Sequence, residues 1–199
     1  EYNLDGSNVD GLNKNIIQKT AEINLDDSRV ETNHQLPLFK RFWNIKHIDE
    51  LSFVLEHGIC SRNKLKQLNH TPIEIANKSV VRIRDDKKVN KKPLHDYANL
   101  YFNPRNAMLT EVLALTGKEN ILIFEIILNI NIPNVVFTDG NAARYETNDE
   151  KSYDLIQNKI RPTLYNQYWD HEEKRIMMAE CLVPEVVPSQ FIASIYICD

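Results

Sequence analysis

The sequence predicts an α+β fold. Its apolar segments are short, and strand-like and helix-like periods follow one another irregularly, without the repeated βαβ alternation of a doubly wound sheet. Only five glycines are present, and none is placed to build a glycine-rich phosphate loop, so P-loop and dinucleotide-fold templates fail. With 199 residues, 42% hydrophobic and 26% charged, the chain has globular composition and the length for one domain plus an appendage.

The elements follow in order. Residues 1–35 are polar and Asn/Asp-rich, with one weak amphipathic stretch around Ile16, Ile17 and Ile23, and read as an extension to a domain over residues 36–199. Phe39 to Ile45 alternates as a strand, with Phe42 and Trp43 supplying bulk. Asp49 is placed to cap a helix with Leu51, Val54 and Leu55 inward, and Gly58 to end it, where glycine takes left-handed angles at low cost. Residues 61–93 show no sustained apolar period and read as a long functional or disordered loop. Tyr97 to Phe102 is a short strand ended by Asn103-Pro104. Ala107 to Thr116 is a helix with Met108, Leu109, Val112 and Leu115 inward and Gly117 as its stop. Ile121–Leu128 and Val135–Thr138 are strands, the second followed by the turn Asp139-Gly140. Asp149 to Ile160 reads as an amphipathic helix with Tyr153, Ile156 and Ile160 on one face, and Ile176–Val183 and Phe191–Ile197 as strands.

Several chemistries are excluded. The longest apolar run, Ile121 to Ile130, is broken by Glu125 and Asn129, far short of the ~20 residues that span a bilayer, so no membrane association is expected. No charged-then-apolar leader is present. Cys60, Cys181 and Cys198 are odd in number and irregularly spaced, which argues for reduced thiols and a cytoplasmic site of action. His47, His70, His95 and His171 never reach metal-ligand spacing, so no metal is expected, and no Gly-x-Ser-x-Gly elbow exists. Glu172 and Glu173 read as an exposed acidic pair facing Lys174 and Arg175 at a helix end.

Charge is unevenly distributed. The net charge is −4, yet Arg62 to Lys92 holds ten basic residues against Glu74, Asp85 and Asp86, while the first 31 residues hold seven acidic ones against three basic. A local basic field attracts phosphates whatever the global charge, although a solvated lysine-rich loop has the same composition. Glu180 stands apart in the otherwise apolar run Met177–Val183. Burying an unpaired carboxylate costs several kcal/mol, so Glu180 either faces a cleft or partner, or lies on an edge strand pointing to solvent.

The stretch Leu94-His95-Asp96-Tyr97-Ala98-Asn99-Leu100-Tyr101-Phe102-Asn103-Pro104-Arg105-Asn106-Ala107-Met108-Leu109 resembles the signature of the DarT family of DNA ADP-ribosyltransferase toxins. Four further blocks resemble that family in the same order: Lys46-His47-Ile48-Asp49-Glu50-Leu51, Arg82 to Val89, Val135 to Gly140, and Tyr168-Trp169-Asp170 with Ala179-Glu180-Cys181-Leu182-Val183. The resemblance covers residues 36–197 and implies an ADP-ribosyltransferase fold, a split β-sandwich with flanking helices and NAD in the cleft as co-substrate.

The same resemblance implies the site. Glu180 matches the glutamate that binds the nicotinamide-side ribose, and Arg84 a catalytic arginine, with Arg82 as its rival two residues away. Arg82, Lys87 and Lys88 are expected to track a nucleic-acid backbone. Tyr101 and Phe102 lie where the fold offers aromatic surface to nicotinamide, although ordinary strand core explains either. Arg105 and Met108 are expected to shape the NAD-facing wall, and His95 and Asp96 to be structural. Where many members carry Tyr-His-Ile in the first strand, this chain has Trp43-Asn44-Ile45, so Asn44, with His47 as the alternative, is expected to hold the NAD ribose. The implied activity is transfer of ADP-ribose to thymine or guanine of single-stranded DNA, with a macrodomain antitoxin as partner. An RNA-directed enzyme, a protein-directed transferase and a catalytically silent NAD-binding module remain as alternatives.

Overall fold

Strand alternation sets the architecture in a computed structural model that describes residues 38–150 and 152–197. The sheet is assembled from β1 (Phe39–His47), β5 (Tyr97–Tyr101), β6 (Ile121–Asn129), β7 (Val136–Thr138), β8 (Asp149–Glu150), β9 (Glu180–Pro184) and β11 (Ile192–Ile197). Its order is β11-β6-β1-β5-β9-β7-β8, and every pairing is antiparallel. Two short ribbons stand beside it: β2 (Ile59–Cys60) with β10 (Val186–Val187), and β3 (Lys88–Val89) with β4 (Lys92–Pro93).

Successive side chains on a strand point to opposite faces, and here the two faces bury different things. Phe42, Leu100, Phe102, Phe124, Ile126, Cys181 and Val183 join one apolar core, closed by Ile156 and Ile160 of the helix Tyr153–Ile160. Phe42 meets Phe102 edge-on at 5.2 Å and Tyr153 at 5.7 Å, a geometry that aromatic quadrupoles favour. Ile45, Tyr101 and Ile121 pack on the helix Ala107–Thr116 through Val112. Buried Glu125 on β6 is paired with Arg41 at 2.7 Å and accepts a hydrogen bond from the Tyr196 hydroxyl at 2.6 Å.

The helices are α1 (Leu51–His57), α2 (Arg62–Gln67), α3 (Lys78–Asp86), α4 (Ala107–Thr116), α5 (Tyr153–Ile160) and α6 (His171–Ile176). Two of them lie in the segment expected to be a loop. Their periodicity is silent because α2 buries only Leu65 and α3 buries nothing; the legible signals are their caps, Ser61 accepting from Lys64 N and Asn77 accepting from Ser79 N. Asp149 and Glu150 are strand rather than helix, and α5 starts after its cap Ser152. Residues 176–179 end α6 instead of opening a strand, because Asp170 and Glu173 form a reciprocal capping box that nucleates the helix. Leu55 and Leu115, expected inward, are 51% and 76% exposed. Among the described residues no helix is long and apolar enough to cross a membrane. The extension expected over residues 1–35 lies outside the described residues.

Gly58 ends α1 at φ 80°, and a Cβ there would stand 2.3 Å from the Val187 carbonyl oxygen. Strain of this kind costs about 1–3 kcal/mol before the clash is counted. Gly58→Ala should therefore lower stability by at least about 2 kcal/mol in urea unfolding; a midpoint equal to wild type would show that the ribbon β2–β10 yields without cost.

Candidate active site

The cleft is a consequence of incomplete strand pairing. β1 matches β6 along its whole length, from Phe39↔Asn129 to His47↔Ile121, but meets β5 only at Trp43↔Tyr101. Beyond that point the two strands part. Asn44 Nδ2 spans the gap to the Asn99 carbonyl at 2.9 Å. A cleft of about 730 Å³ opens there. Tyr97, Asn99 and Tyr101 of β5 form its floor, Val80, Val81 and Arg84 of α3 its roof, and Lys46 and Met108 stand at its sides.

Glu180 is fully buried at the start of β9, directly opposite Tyr101. Arg84 meets it with both guanidinium nitrogens, 3.1 Å to Oε1 and 3.0 Å to Oε2, a bidentate, charge-assisted fork. The Ala142 N–H also donates to Oε1 at 3.4 Å. The Thr138 hydroxyl, which donates to the Gly140 carbonyl, accepts the Glu180 backbone N–H at 3.2 Å, so the turn after β7 fixes the start of β9. Burial is the largest single influence and acts to lower the Arg84 pKa, but the charge and hydrogen bonds of Glu180, with Tyr101, together outweigh it and hold the guanidinium above its usual value. Burial, then the Glu180 charge, raises the Tyr101 phenol well above its ordinary range. Its hydroxyl lies 2.7 Å from the Met108 sulfur.

The fold therefore brings Glu180, Arg84, Asn44, Tyr101 and Met108 together. It separates others. Phe102, expected at nicotinamide, is on the opposite face of β5 within the core, stacked with Tyr153 at 5.3 Å, because side chains alternate along a strand. Arg105 turns away from the cleft wall: it donates to the Leu164 and Asn166 carbonyls and lies over the Trp169 ring at 4.9 Å, so it pins the segment before α6. His47 caps the turn Ile48–Glu50 through Nδ1, which accepts from Asp49 N, and does not line the cleft. Lys87 donates to the Arg144 carbonyl at 2.8 Å and sits over Tyr145, whereas Arg82 and Lys88 are exposed.

Some cleft groups carry no signal of that role in the sequence. Lys46 lines the wall two residues beyond Asn44, and His95, expected to be structural, lines the floor with Nδ1 3.2 Å from Asp85. Asp96 does have a structural role, accepting from Asn63 at 2.6 Å. Alternation along β5 is the available signal for Asn99 and Tyr97, which share the face of Tyr101. Among the described residues no cluster of three or more His, Cys, Asp or Glu could hold a metal ion.

Removing one partner of a buried ion pair strands the other, at about 3–5 kcal/mol. Arg84→Met should thus destabilise the fold by about 3 kcal/mol in urea unfolding, and adding Glu180→Gln should recover much of that loss. A cycle with no coupling between the two positions would mean that water replaces the arginine freely.

Comparison with known proteins agrees with this fold. A curated relative, the DNA ADP-ribosyl transferase–DNA ADP-ribosyl glycohydrolase fusion protein of Thermosipho africanus (strain H17ap60334), is 32% identical over 169 residues, 82% of this chain and 44% of the fusion. The chain thus spans less than half the length of that relative. The structure of Thermosipho africanus DarTG in complex with ADP-ribose superposes with a TM-score of 0.70 at 29% identity, over 80% of this chain and 44% of the other. Thermus sp. 2.9 DarT in complex with ADP-ribosylated ssDNA shares the fold, with a TM-score of 0.68 at 24% identity over 79% and 80% of the two chains. The model of the family described as "ssDNA thymidine ADP-ribosyltransferase, DarT" matches residues 43–199, most of the sequence and all of the cleft, and the chain belongs to that family.

Proposed function

We propose that this chain is an NAD-dependent ADP-ribosyltransferase that moves ADP-ribose from NAD to a thymine base of single-stranded DNA and releases nicotinamide. The observation that carries the reading is the fully buried Glu180 carboxylate, held by Arg84, which lines the cleft. The family description and the structure of a relative with ADP-ribosylated ssDNA support the substrate class.

The chemistry follows from charge. The bond from the ribose anomeric carbon to nicotinamide breaks with its electrons leaving on nicotinamide, and positive charge grows on the sugar. A preorganised carboxylate bonded to a ribose hydroxyl orients the sugar and stabilises that charge in a low-dielectric site, a contribution of a few kcal/mol. The attacking base nitrogen forms the new bond to the anomeric carbon and passes its proton to water, and the Arg84 guanidinium stabilises the negative charge that develops on the base. Single strands suit the site because their bases are already unstacked.

In this reading residues 36–199 form the transferase domain and residues 1–35 an extension, and the enzyme acts in the cytoplasm. Asn44 holds the NAD ribose, Tyr101 and Met108 border the nicotinamide, and Arg82, Lys87 and Lys88 follow the DNA backbone. The fusion relative carries a DNA ADP-ribosyl glycohydrolase in the same polypeptide, which supports a macrodomain antitoxin as partner.

Incubation with labelled NAD and homopolymeric oligonucleotides tests the reading. Label should enter oligo(dT) and not oligo(dA); label confined to RNA or to protein would replace DNA as the substrate. Glu180→Gln should lower the rate by about 10²-fold or more. Arg84→Lys should lower it at least about tenfold, and more than Arg82→Lys does. Wild-type activity in Glu180→Gln would remove the mechanism. Oligonucleotide affinity should fall steeply with salt. Replacing Lys87 and Lys88 together by Ala should flatten that slope by up to about one unit for each phosphate no longer neutralised; an unchanged slope would remove these two lysines from the interface.

A further inference from the structure

Glu180 is held, on its β7 side, where strand pairing gives out. The β7–β9 ladder ends at Phe137↔Cys181, one residue short of Glu180. The Glu180 backbone N–H goes to the Thr138 hydroxyl instead, at 3.2 Å, and the Ala142 N–H donates to Glu180 Oε1 at 3.4 Å. Both contacts come from one short stretch, residues 138–142. On this side the carboxylate is aimed only as well as that stretch is fixed.

Asp139 is where the stretch is tied down. Its carboxylate is buried, and Oδ1 accepts from Asn148 N at 2.9 Å and from Arg175 Nη1 at 3.0 Å, while Oδ2 lies 3.5 Å from Lys159 Nζ. Its backbone is gripped as well. The Asp139 N–H donates to the Asn148 carbonyl at 3.1 Å, and the Asp139 carbonyl accepts from Arg175 Nη1 at 3.1 Å. One residue thus gathers the end of β7, α5, α6 and the approach to β8. Burial alone would raise its pKa, but the hydrogen bonds from Asn148 and Arg175 and the charges of Arg175 and Lys159 outweigh it and hold the carboxyl below its usual value.

Arg175 stands in the last turn of α6 and has no nitrogen to spare. Nε and Nη2 form a fork on Glu172, at 2.8 Å and 2.7 Å, which leaves Nη1 for Asp139. The side chain also passes over Gly140, where an added Cβ would stand 3.0 Å from Nη1 and 3.2 Å from Cγ. The position of α6 is therefore passed through Arg175 to the turn, and through the turn to Glu180.

We infer that Asp139 and Arg175 are positioning residues for Glu180: together they set the turn 138–142 so that the Thr138 hydroxyl and the Ala142 N–H hold the carboxylate in the orientation that transfer requires. The inference rests on the reading of Glu180 as the group that stabilises the ribose charge. A misplaced Glu180 loses most where its contact is strongest, in the transition state, so the pair contributes to kcat and little to dinucleotide affinity.

Initial rates of oligonucleotide labelling over a range of NAD concentrations, on full chains that unfold cooperatively in urea, test the assignment. Asp139→Asn keeps the shape and an acceptor for Asn148 N but loses the charge that orders Arg175. It should lower kcat about tenfold, with KM for NAD changed by less than about twofold. Arg175→Met should lower kcat at least as much. Arg175→Lys keeps the charge but cannot serve Glu172 and both Asp139 oxygens at once, and should fall between wild type and Arg175→Met. The deciding measurement is the cycle with Glu180→Gln: if Asp139 acts through the Glu180 carboxylate, Asp139→Asn should cost far less in the Glu180→Gln background than in wild type. Equal fold-losses in the two backgrounds would overturn the assignment, as would a loss carried by KM or wild-type kcat in both Asp139→Asn and Arg175→Met; each of these leaves the NAD reading standing. If Asp139→Asn shows no cooperative unfolding, Arg175→Lys takes its place in the cycle under the same criterion. Wild-type activity in Glu180→Gln, or a wild-type chain that labels no oligonucleotide, would remove the reading itself and this pair's role with it.

Discussion

A carboxylate with no exposure to solvent has to be paired, and the pairing of Glu180 with Arg84 organises the whole site. The two residues are 96 positions apart. Glu180 belongs to β9, in the middle of the sheet, while Arg84 belongs to α3, which buries none of its residues. The ion pair thus draws a polar helix over the floor of the cleft. Isolated buried pairs are weak evidence of stability, because desolvation offsets much of the attraction. What the pair contributes is position: it fixes α3 against the start of β9.

The attachment of α3 carries the same logic. It is tethered by Asn77 to Glu111 of α4 at 3.0 Å, by Asp85 to His95, and by the Lys87 carbonyl to Leu94 N at 2.8 Å. Each contact is polar. An element with no buried apolar side chain opens at lower free energy than a core strand does. The floor is the reverse: β5 is paired through all five of its residues with β9, and its even-numbered side chains are locked into the aromatic core.

Much of this is legible in the sequence. The strands of the main sheet other than β8 follow from their apolar period, and Gly58 and Gly117 end their helices with positive φ as expected. Glu180 is visible as a charge in an apolar run. What periodicity does not report is an element that contacts the core through polar groups, which is why α2 and α3 read as loop and why the end of α6 reads as strand despite the capping box at its start. The distribution of side chains within the signature is also hidden. Tyr101 and Phe102 are equally aromatic, but one strand step sends the first to the cleft and the second to the core. Arg105 and Met108 are three apart in the same signature, yet Asn106 caps α4 between them, so Arg105 leaves toward Leu164 while Met108 turns to the Tyr101 hydroxyl. Lys46 and His95 lie within the blocks quoted for the family, but that they line the cleft shows only in the three-dimensional arrangement.

The basic segment also changes meaning once folded. Its ten cations against a net charge of −4 suggest a single phosphate-seeking patch. The structure sorts them instead. Arg62 is spent on Glu74 and Arg84 on Glu180, both along the cleft, while Lys87 reaches the Arg144 carbonyl at its mouth. Arg82 and Lys88 stay exposed and make no ion pair with any described residue. An exposed, unpaired cation exchanges its counter-ions for phosphate readily. One run of sequence is therefore divided by the fold: inward cations are paired along the cleft, and outward cations stay exposed to solvent. Net charge cannot distinguish those roles, but burial and pairing can, since helix geometry turns Arg84 inward while Arg82, two residues earlier, faces solvent.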